Sequence, residues 1–351
     1  MLDHGPHKRR IVEIRVGKRL LSPGRPALLV AEIGGNHAGD PQLAGRMVEA
    51  AAAAGAGAVK FQAYRTADFL SPLSPYYDEL AAEELPFEEL AALVSRAQGL
   101  GLAAGLTVFD AAGLELARDC RADFLKISSG DLANGPLLEL AARAGRPLFV
   151  STGAAEATEV AEALELLVPA REDLVILQCA ALYPAPLEAA NLEVMVGWLA
   201  AGLAAGYSDH VPGPEAACAA LTLGALVLEK HFTLDRELPG GDNSISAEPE
   251  DFVRLAAWAD LVPKLRGQGD KRPHPLELPM RPLIRRAVTA ARDLPAGHCL
   301  RAEDLALRRP PPTALNLLEL KQLPNLPGRR LKGPLAEGAP LTRADLDDGC
   351  G

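Results

Sequence analysis

Short apolar segments alternate with longer helical segments along most of this chain, and this alternation constrains the fold more than any other feature. We interpret eight apolar segments as strands: 28–33, 58–62, 102–107, 124–127, 148–151, 174–178, 204–208 and 226–230. Helical patterns rich in Ala, Leu and Glu occupy 42–53, 88–100, 111–118, 136–144, 156–167, 190–203, 214–223 and 248–265. Eight strand–helix units predict parallel pairing and a closed (β/α)8 TIM barrel. A doubly wound open sheet is the competing topology, although no G-x-G-x-x-G motif follows the first strand.

The segments that flank this pattern differ from it in composition. Residues 9–21 alternate between apolar and charged positions around a glycine, which predicts an N-terminal hairpin. Residues 262–282 contain five prolines and two glycines, which is typical of a linker. Beyond it, 293–305 resembles 333–346 at a constant offset of 41, which predicts two similar strand–turn units in a small β-rich domain. We therefore predict a catalytic barrel with its hairpin over 1–265, a linker over 266–282 and a second domain over 283–351.

Charge and cysteine usage narrow the class of protein. The net charge of −10 argues against a nucleic-acid partner, because phosphate contacts need clustered Lys and Arg. No long apolar stretch suggests a membrane span, and the N-terminus lacks a signal-peptide core. The five cysteines are scattered and form no C-x-x-C pair, which favours reduced thiols in the cytoplasm.

Nearly every predicted strand ends in a polar residue. In such barrels the active site lies at the carboxyl ends of the strands. Lys60 and Lys126 each end an apolar strand, and such a lysine can be a Schiff-base nucleophile or an anion binder. Because Thr107, Ser129 and Ser151 end neighbouring strands, a phosphate or carboxylate site is the better interpretation. Glycines in the S-S-G-D and S-T-G-A segments expose backbone N–H groups that favour anions.

Two histidines, His210 and His231, end the last two strands, so they are neighbours in a barrel. Two imidazoles can share one divalent ion and leave coordination positions open for water and substrate. Asp209 and Glu229 precede them and are candidates for carboxylates that support the histidines. Each of these histidines could instead have only a structural role, as a hydrogen-bond partner of a neighbouring loop.

Two further carboxylates belong to the same predicted rim. Glu32 ends the first strand and could serve as an acid, a base or a substrate anchor, or could only pair with a lysine. Asp242 lies in a loop after the last strand, from which it could reach the rim or merely form a turn.

Together these segments resemble the sialic acid synthase (N-acetylneuraminate synthase) family over nearly the whole chain. The matching motifs, in family order, are AEIGGNHAGD, AVKFQ, FLKISSGD, LFVSTG, LYPAP, GYSDH, EKHFT and LPGGD. The C-terminal part resembles the family's antifreeze-like (SAF) domain, with LRRP at 307–310 matching its Lys-Arg-Pro element.

The resemblance implies an enzyme that condenses phosphoenolpyruvate with an N-acylated amino sugar, typically N-acetylmannosamine, to give a nonulosonic acid and phosphate. The family's metal ligands, for Mn²⁺, Mg²⁺ or Co²⁺, fall on His210 and His231, and its carboxylate near the reacting carbons falls on Glu32. Its phosphoenolpyruvate contacts fall on Lys60, Thr107, Lys126, Ser129 and Ser151. Its sugar contacts fall on Gln62, Asp131, Tyr183 and Asp242. Its tail-domain arginine falls on Arg309, which in the family reaches the partner's active site in a domain-swapped homodimer.

The chain departs from this family mainly on the sugar side. This chain has Leu106 and Val108 where the family commonly has Ser and Pro, and Asp131 where some members have Glu. It also has Gln178 where His is frequent, Ala181 where Asn or Ser is common, and Gly241 where Pro is usual. The reaction type is therefore better defined than the acceptor sugar. Two alternatives stay open: a Schiff-base aldolase using Lys60, Lys126 or Lys230, and a non-catalytic barrel whose tail module binds carbohydrate.

Overall fold

The computed structural model describes residues 12–311, 314 and 316–347; the predicted hairpin's residues 9–11 and Cys350 lie outside these ranges. The chain divides into two compact units, Met1–Gln268 and Gly269–Gly351, and each is described by itself. Among the described residues, no helix has the length and apolar character that a membrane crossing requires.

The first unit begins with the predicted hairpin, formed by β1 (Ile14–Val16) and β2 (Arg19–Leu21). Eight parallel strands follow: β3 (Leu28–Glu32), β4 (Ala58–Ala63), β5 (Ala103–Val108), β6 (Phe124–Ile127), β7 (Leu148–Ser151), β8 (Leu174–Cys179), β9 (Ala205–Asp209) and β10 (Val227–His231). They close in sequence order, with β10 pairing back onto β3. The TIM barrel prediction is confirmed, and each predicted strand lies within one residue of its observed bounds at either end.

Ten helices accompany these strands in the described part of the first unit. They are α1 (Pro41–Ala53), α2 (Thr66–Phe69), α3 (Tyr77–Glu83), α4 (Phe87–Gly99), α5 (Ala111–Asp119), α6 (Gly135–Ala142), α7 (Ala157–Leu166), α8 (Glu193–Ala200), α9 (Glu215–Leu223) and α10 (Pro249–Arg266). Local signals explain where they begin: the Asp40 side chain accepts a hydrogen bond from the Gln42 N–H and Pro41 opens α1. The sequence analysis missed α2 and α3.

The amino-terminal half of the barrel is filled with apolar side chains. Ile14, Val16 and Leu21 of the hairpin form one buried cluster with the first residues of the strands, among them Leu28 and Phe124. The rings of Phe124 and Phe149 stack there with centroids 4.6 Å apart. A Cβ at Gly105 would lie 2.2 Å from the Phe124 ring, so only glycine fits at that position. This end of the barrel is closed by packing, which leaves the carboxyl ends of the strands for chemistry.

The second unit contains α11 (Arg281–Ile284) and four short strands, β11 (Ala287–Ala290), β12 (Leu305–Arg308), β13 (Arg330–Leu331) and β14 (Leu346–Asp347). The predicted internal repeat is visible: a single 3-10 turn leads into β12 in one copy and into β14 in the other. Leu294 and Leu335, equivalent in the two copies, exchange backbone hydrogen bonds of 2.8 Å each. The two copies therefore pack on each other around one apolar core.

The cysteine prediction is wrong at one position. Cys120, Cys179 and Cys218 are free thiols, but Cys299 is disulfide-bonded. Spacing along the chain could not show this, because a disulfide depends only on the distance and orientation of two Cβ atoms in space.

The Asp304 carboxylate is the buried anchor of the first repeat, with 0% of the residue exposed. It accepts hydrogen bonds from Arg292 Nη2 at 2.6 Å, His298 Nε2 at 2.7 Å and the Arg301 N–H at 2.9 Å. Burial alone would raise its pKa, but the donors from His298, Arg301 and Arg292 outweigh it and lower the pKa to about 2. The carboxylate of Asp345, its counterpart in the second repeat, accepts hydrogen bonds from the N–H and the hydroxyl of Thr342.

We expect Asp304→Ala to destabilise the second unit by about 2–3 kcal/mol, because it removes the hydrogen bonds from Arg292, His298 and the Arg301 N–H at once. Asp345→Ala is the matched control and should cost about 1 kcal/mol, the net value of an ordinary hydrogen bond. Hydrogen exchange of the full chain, read over 287–347, measures both. Because the pKa of Asp304 is lowered, its contribution is complete above the unfolded-state value of about 3.9 and is lost as the pH falls toward 2. Equal effects of the two variants would contradict this account.

Candidate active site

The carboxyl ends of the barrel strands gather buried polar side chains from nearly every strand. Predicted site residues in this group are Glu32, Lys60, Thr107, Lys126, Ser151, His210 and His231, and each is no more than 6% exposed. Parallel pairing places Glu32 beside Lys60, Thr107 beside Lys126, and His231 beside Glu32. The rim predicted from strand ends is therefore a single site.

On one side of this site Lys60 lies between Glu32 and Thr107. Its Nζ forms an ion pair with Glu32 Oε2 and donates a 2.6 Å hydrogen bond to Thr107 Oγ1. The other carboxylate oxygen of Glu32 accepts a hydrogen bond of 2.6 Å from the Gly34 N–H. Burial lowers the pKa of Lys60 to about 7; Glu229 opposes this shift and Lys126 adds to it.

Across the mouth, Lys126 faces Glu229. Its Nζ is 3.4 Å from Glu229 Oε1, which also accepts a 3.0 Å hydrogen bond from Ser208 Oγ. Burial alone would raise the pKa of Glu229, but Lys126, Lys60 and the Ser208 hydroxyl together hold it well below its usual range. Two lysines and a permanently ionised carboxylate therefore share this pocket.

The hydroxyl groups near these lysines could donate hydrogen bonds to a bound anion. Ser151 Oγ is buried and has no hydrogen-bond partner within the described chain. Ser129 Oγ accepts a hydrogen bond of 2.9 Å from the Gly153 N–H, and its own proton is directed to Cys179 Sγ at 3.7 Å, a weak acceptor that an anionic oxygen could replace. An unpartnered buried hydroxyl costs free energy, and an anionic oxygen bound there would remove that cost.

The two histidines face each other, with ring centroids 5.4 Å apart. His210 Nδ1 is 2.6 Å from the Ala180 carbonyl oxygen, which can only accept, so the proton is on Nδ1 and Nε2 presents a lone pair. His231 Nδ1 is buried and has no hydrogen-bond partner among the residues that the structure describes, and Asp242 Oδ2 is 3.5 Å from it. Burial lowers the pKa of both imidazoles, so both are neutral near pH 7.

These features fit a divalent ion held by two imidazoles. Neutral rings are the protonation state that a metal requires, and the bond from His210 to Ala180 fixes which nitrogen is free. Over the described ranges, no group of three or more His, Cys, Asp or Glu side chains is arranged to hold a metal. The remaining coordination positions would therefore belong to water or substrate, as in a catalytic rather than a structural site.

The predicted sugar-binding residues divide into two groups. Gln62 lies against Gly34 beside Glu32, Tyr183 stacks 4.1 Å from the His210 ring with 52% of the residue exposed, and Asp242 lies near His231. Asp131 instead uses both carboxylate oxygens within its own turn, accepting from Ser128 and Asn134. Arg309 belongs to the second unit, where it is exposed.

The structure corrects the expected partners of the two carboxylates that precede the histidines. Asp209 pairs with Lys230 at 2.6 Å, and Lys230 also donates to the Val211 carbonyl. Glu229 contacts Lys126 and Ser208. Strand alternation was the overlooked signal: Glu229 and His231 lie two positions apart and share the inner face, whereas Lys230 lies on the other face.

Two neighbours of this group carried no signal in the sequence. Cys179 Sγ is 3.8 Å from His210 Nδ1 and 3.7 Å from Ser129 Oγ, so it separates the histidine pair from the serine. Ser208 supports Glu229. Cys179 and Ser208 lie at the ends of their strands, next to a predicted loop. Only the pairing of strands in the closed barrel brings them close to residues of other strands.

A closed parallel barrel whose mouth gathers buried lysines, carboxylates and imidazoles is typical of an enzyme active site. Comparison with known families makes the class specific: the NeuB family model matches residues 47–271, and the SAF domain model matches residues 285–347. The chain belongs to the NeuB family, and several of its relatives are named as synthases of nonulosonic acids or their phosphates.

Individual relatives agree with this assignment. The N,N'-diacetyllegionaminic acid synthase of Legionella pneumophila is 35% identical over 89% of this chain and 92% of its own length. The N-acetylneuraminate-9-phosphate synthase of Mus musculus is 31% identical over 86% of this chain and 92% of its own. The crystal structure of an N-acetylneuraminic acid synthetase from Leptospira borgpetersenii, in complex with citrate, is 33% identical with a TM-score of 0.74, covering 77% of this chain and 95% of that one.

Proposed function

We propose that this enzyme condenses phosphoenolpyruvate with the open-chain form of an N-acylated amino sugar, N-acetylmannosamine or a related sugar, to give a nonulosonic acid and inorganic phosphate. One observation carries the proposal: the buried lysines Lys60 and Lys126 and the unpartnered Ser151 hydroxyl converge beside the histidine pair. An anionic substrate and an electrophilic one would thus meet in a single mouth.

Phosphoenolpyruvate would bind among Lys60, Lys126, Thr107, Ser129 and Ser151. The two ammonium groups neutralise its charge without covalent attachment, and the three hydroxyls donate to its oxygens. Binding would give the Ser151 hydroxyl the hydrogen-bond partner that it lacks within the described chain. A bound anion also favours the charged form of Lys60, whose pKa burial has lowered.

The reaction consumes one water molecule. Carbon 3 of phosphoenolpyruvate adds to the sugar aldehyde carbon, and the aldehyde oxygen becomes a hydroxyl group by taking up a proton. Water forms a new C–O bond at carbon 2, and the tetrahedral intermediate then breaks its C–O bond to phosphate, so that the two protons of water end on the new hydroxyl group and on phosphate. Glu32 would be ionised, since it pairs with Lys60 and accepts from Gly34, and it would stabilise positive charge developing at carbon 2. A divalent ion (Mn²⁺, Mg²⁺ or Co²⁺) held by His210 and His231 would supply Lewis acidity to the sugar aldehyde.

The acceptor would contact Gln62, Tyr183, Asp242 and Asp131 from the barrel. We further propose a domain-swapped homodimer in which Arg309 of one subunit completes the sugar site of the other, supported by the exposure of Arg309. A monodisperse and fully active monomer would contradict the dimer. Because cells make and use phosphoenolpyruvate in the cytoplasm, we propose the cytoplasm as the location.

The test is phosphate release from phosphoenolpyruvate with Mn²⁺ and a panel of acceptors. The panel contains N-acetylmannosamine, its 6-phosphate, and 6-deoxy diacetamido sugars. We expect release only when phosphoenolpyruvate, one of these sugars and the ion are all present. No release with any sugar, from protein that binds the ion, would count against the synthase and favour the non-catalytic carbohydrate-binding alternative.

A Schiff-base aldolase is the second candidate, and one observation favours it. A lysine with a pKa near 7, as burial gives Lys60, is partly neutral and nucleophilic at physiological pH. Lys230 is a poor nucleophile because its Nζ donates to both Asp209 and Val211. Borohydride trapping with pyruvate decides between the two candidates: a covalent adduct, with activity that survives a chelator, would establish the aldolase.

A further inference from the structure

Helix α3 and the residues around it belong to a segment that the sequence analysis left unassigned. Its last residue, Glu83, is half-buried, and its Oε1 accepts a hydrogen bond of 2.8 Å from the Gly241 N–H. Gly241 directly precedes Asp242, whose Oδ2 is 3.5 Å from His231 Nδ1. One carboxylate from α3 is therefore attached to the turn that carries an acceptor-side residue.

Gly241 can make this contact because it is a glycine. Its φ is +51°, in the left-handed region, and a Cβ there would lie 2.6 Å from the Gly35 carbonyl carbon. Proline, which the resemblance leads one to expect here, fixes φ near −65° and has no N–H to donate. The substitution of Gly for Pro and the hydrogen bond to Glu83 thus belong together.

The same carboxylate also reaches the turn that follows Glu32. A Cβ at Gly35 would lie 3.1 Å from Glu83 Oε2, so that oxygen lies close against this turn. The backbone of α3 itself packs on Gly39, where a Cβ would lie 2.3 Å from the Ala82 carbonyl oxygen. Gly34, in the same turn, donates to Glu32. Glu83 therefore lies between the 34–39 turn and the 240–242 turn.

Glu83 occupies an unfavourable place for a carboxylate. Burial raises its pKa; the Gly241 N–H opposes this, while Glu79 and Asp242 raise the pKa further.

We propose that Glu83 is a positioning residue, which fixes the Asp242 turn against the turn after Glu32 and so sets the acceptor end of the site. It does not touch the reacting atoms. The role in acceptor binding rests on the proposed function, whereas the attachment of the two turns does not.

The test compares Glu83→Ala with Glu83→Gln, which keeps an acceptor oxygen, and with Asp78→Ala, an exposed carboxylate on the same helix, as the matched control. In Glu83→Ala we expect the Gly241 amide to exchange with deuterium about tenfold faster or more. We expect kcat/KM for the acceptor sugar to fall by about 10- to 100-fold while KM for phosphoenolpyruvate stays within about twofold. Glu83→Gln should restore both readouts, and Asp78→Ala should leave them as in the unmodified enzyme.

Two results would overturn the proposal. Unchanged exchange at Gly241 in Glu83→Ala would show that the turn needs no carboxylate. Equal losses for phosphoenolpyruvate and sugar, with a lower melting temperature, would show a general structural role. If the unmodified enzyme condenses no sugar at all, the proposed function fails, and the exchange measurement still decides whether Glu83 holds the turn.

Discussion

Replacing His210 with alanine is expected to abolish phosphate release, with a loss of about 10³-fold or more. A metal acting as a Lewis acid supplies several kcal/mol of charge stabilisation, and each 1.36 kcal/mol corresponds to about a tenfold change in rate. His210 is one of only two imidazoles in the proposed site, and its Nδ1–H bond to Ala180 fixes the free nitrogen. Bound Mn²⁺, measured by elemental analysis after dialysis, should fall with the activity.

Two controls make this result specific. His274→Ala removes an exposed histidine from the second unit and should leave Mn²⁺ content and phosphate release unchanged. Phosphoenolpyruvate-induced thermal stabilisation of His210→Ala should persist, because the lysines and serines that would bind the anion are intact. Full phosphate release by His210→Ala, or full Mn²⁺ content without activity, would contradict the metal assignment.

Lys60→Met should have the second large effect, on activity and stability together. It removes one of the two cations of the anion pocket and leaves Glu32 buried without its partner. Breaking a buried ion pair by deleting one member costs about 3–5 kcal/mol. We expect phosphate release to fall by about 10³-fold and the free energy of unfolding, from urea denaturation, to fall by an amount in that range.

The double variant Lys60→Met/Glu32→Gln separates the two effects. Removing both charges relieves the uncompensated carboxylate, so most of the lost stability should return. Activity should stay absent, since both the anion contact and the carboxylate near carbon 2 are gone. A double variant that recovers activity along with stability would mean that Lys60 has only a structural role.

The barrel was predictable because its signals are local. Each strand is a short apolar segment followed by a polar residue, and strands such as Phe124–Ile127 and Leu148–Ser151 match the prediction residue for residue. Barrel closure then brings the polar strand ends together without further information. That is why Lys60, Thr107, Lys126 and the two histidines could be grouped from the sequence.

Side-chain pairing and the α2–α3 segment were not predictable in this way. Helices α2 and α3 are four and seven residues long, too short for a clear apolar period, and Leu73 between them is 93% exposed. The contact of Gly241 with Glu83 joins residues 158 positions apart. The partner of Asp209 depended on strand register, which placed Lys230 beside it.

The pairing of β10 with β3 also determines when the site comes into existence during synthesis. Glu32 belongs to the first barrel strand and His231 to the last, and Asn36 bonds to the Phe232 carbonyl from 196 residues away. At about 5–20 residues per second, the ribosome delivers β10 on the order of ten seconds or more after β3. Until then β3 has an open edge, and Glu32 has no histidine beside it. A chain arrested before residue 227 therefore contains both lysines but lacks His231 and the strand that closes the barrel. We expect such a chain to expose the unpaired edge of β3 and to have no active site.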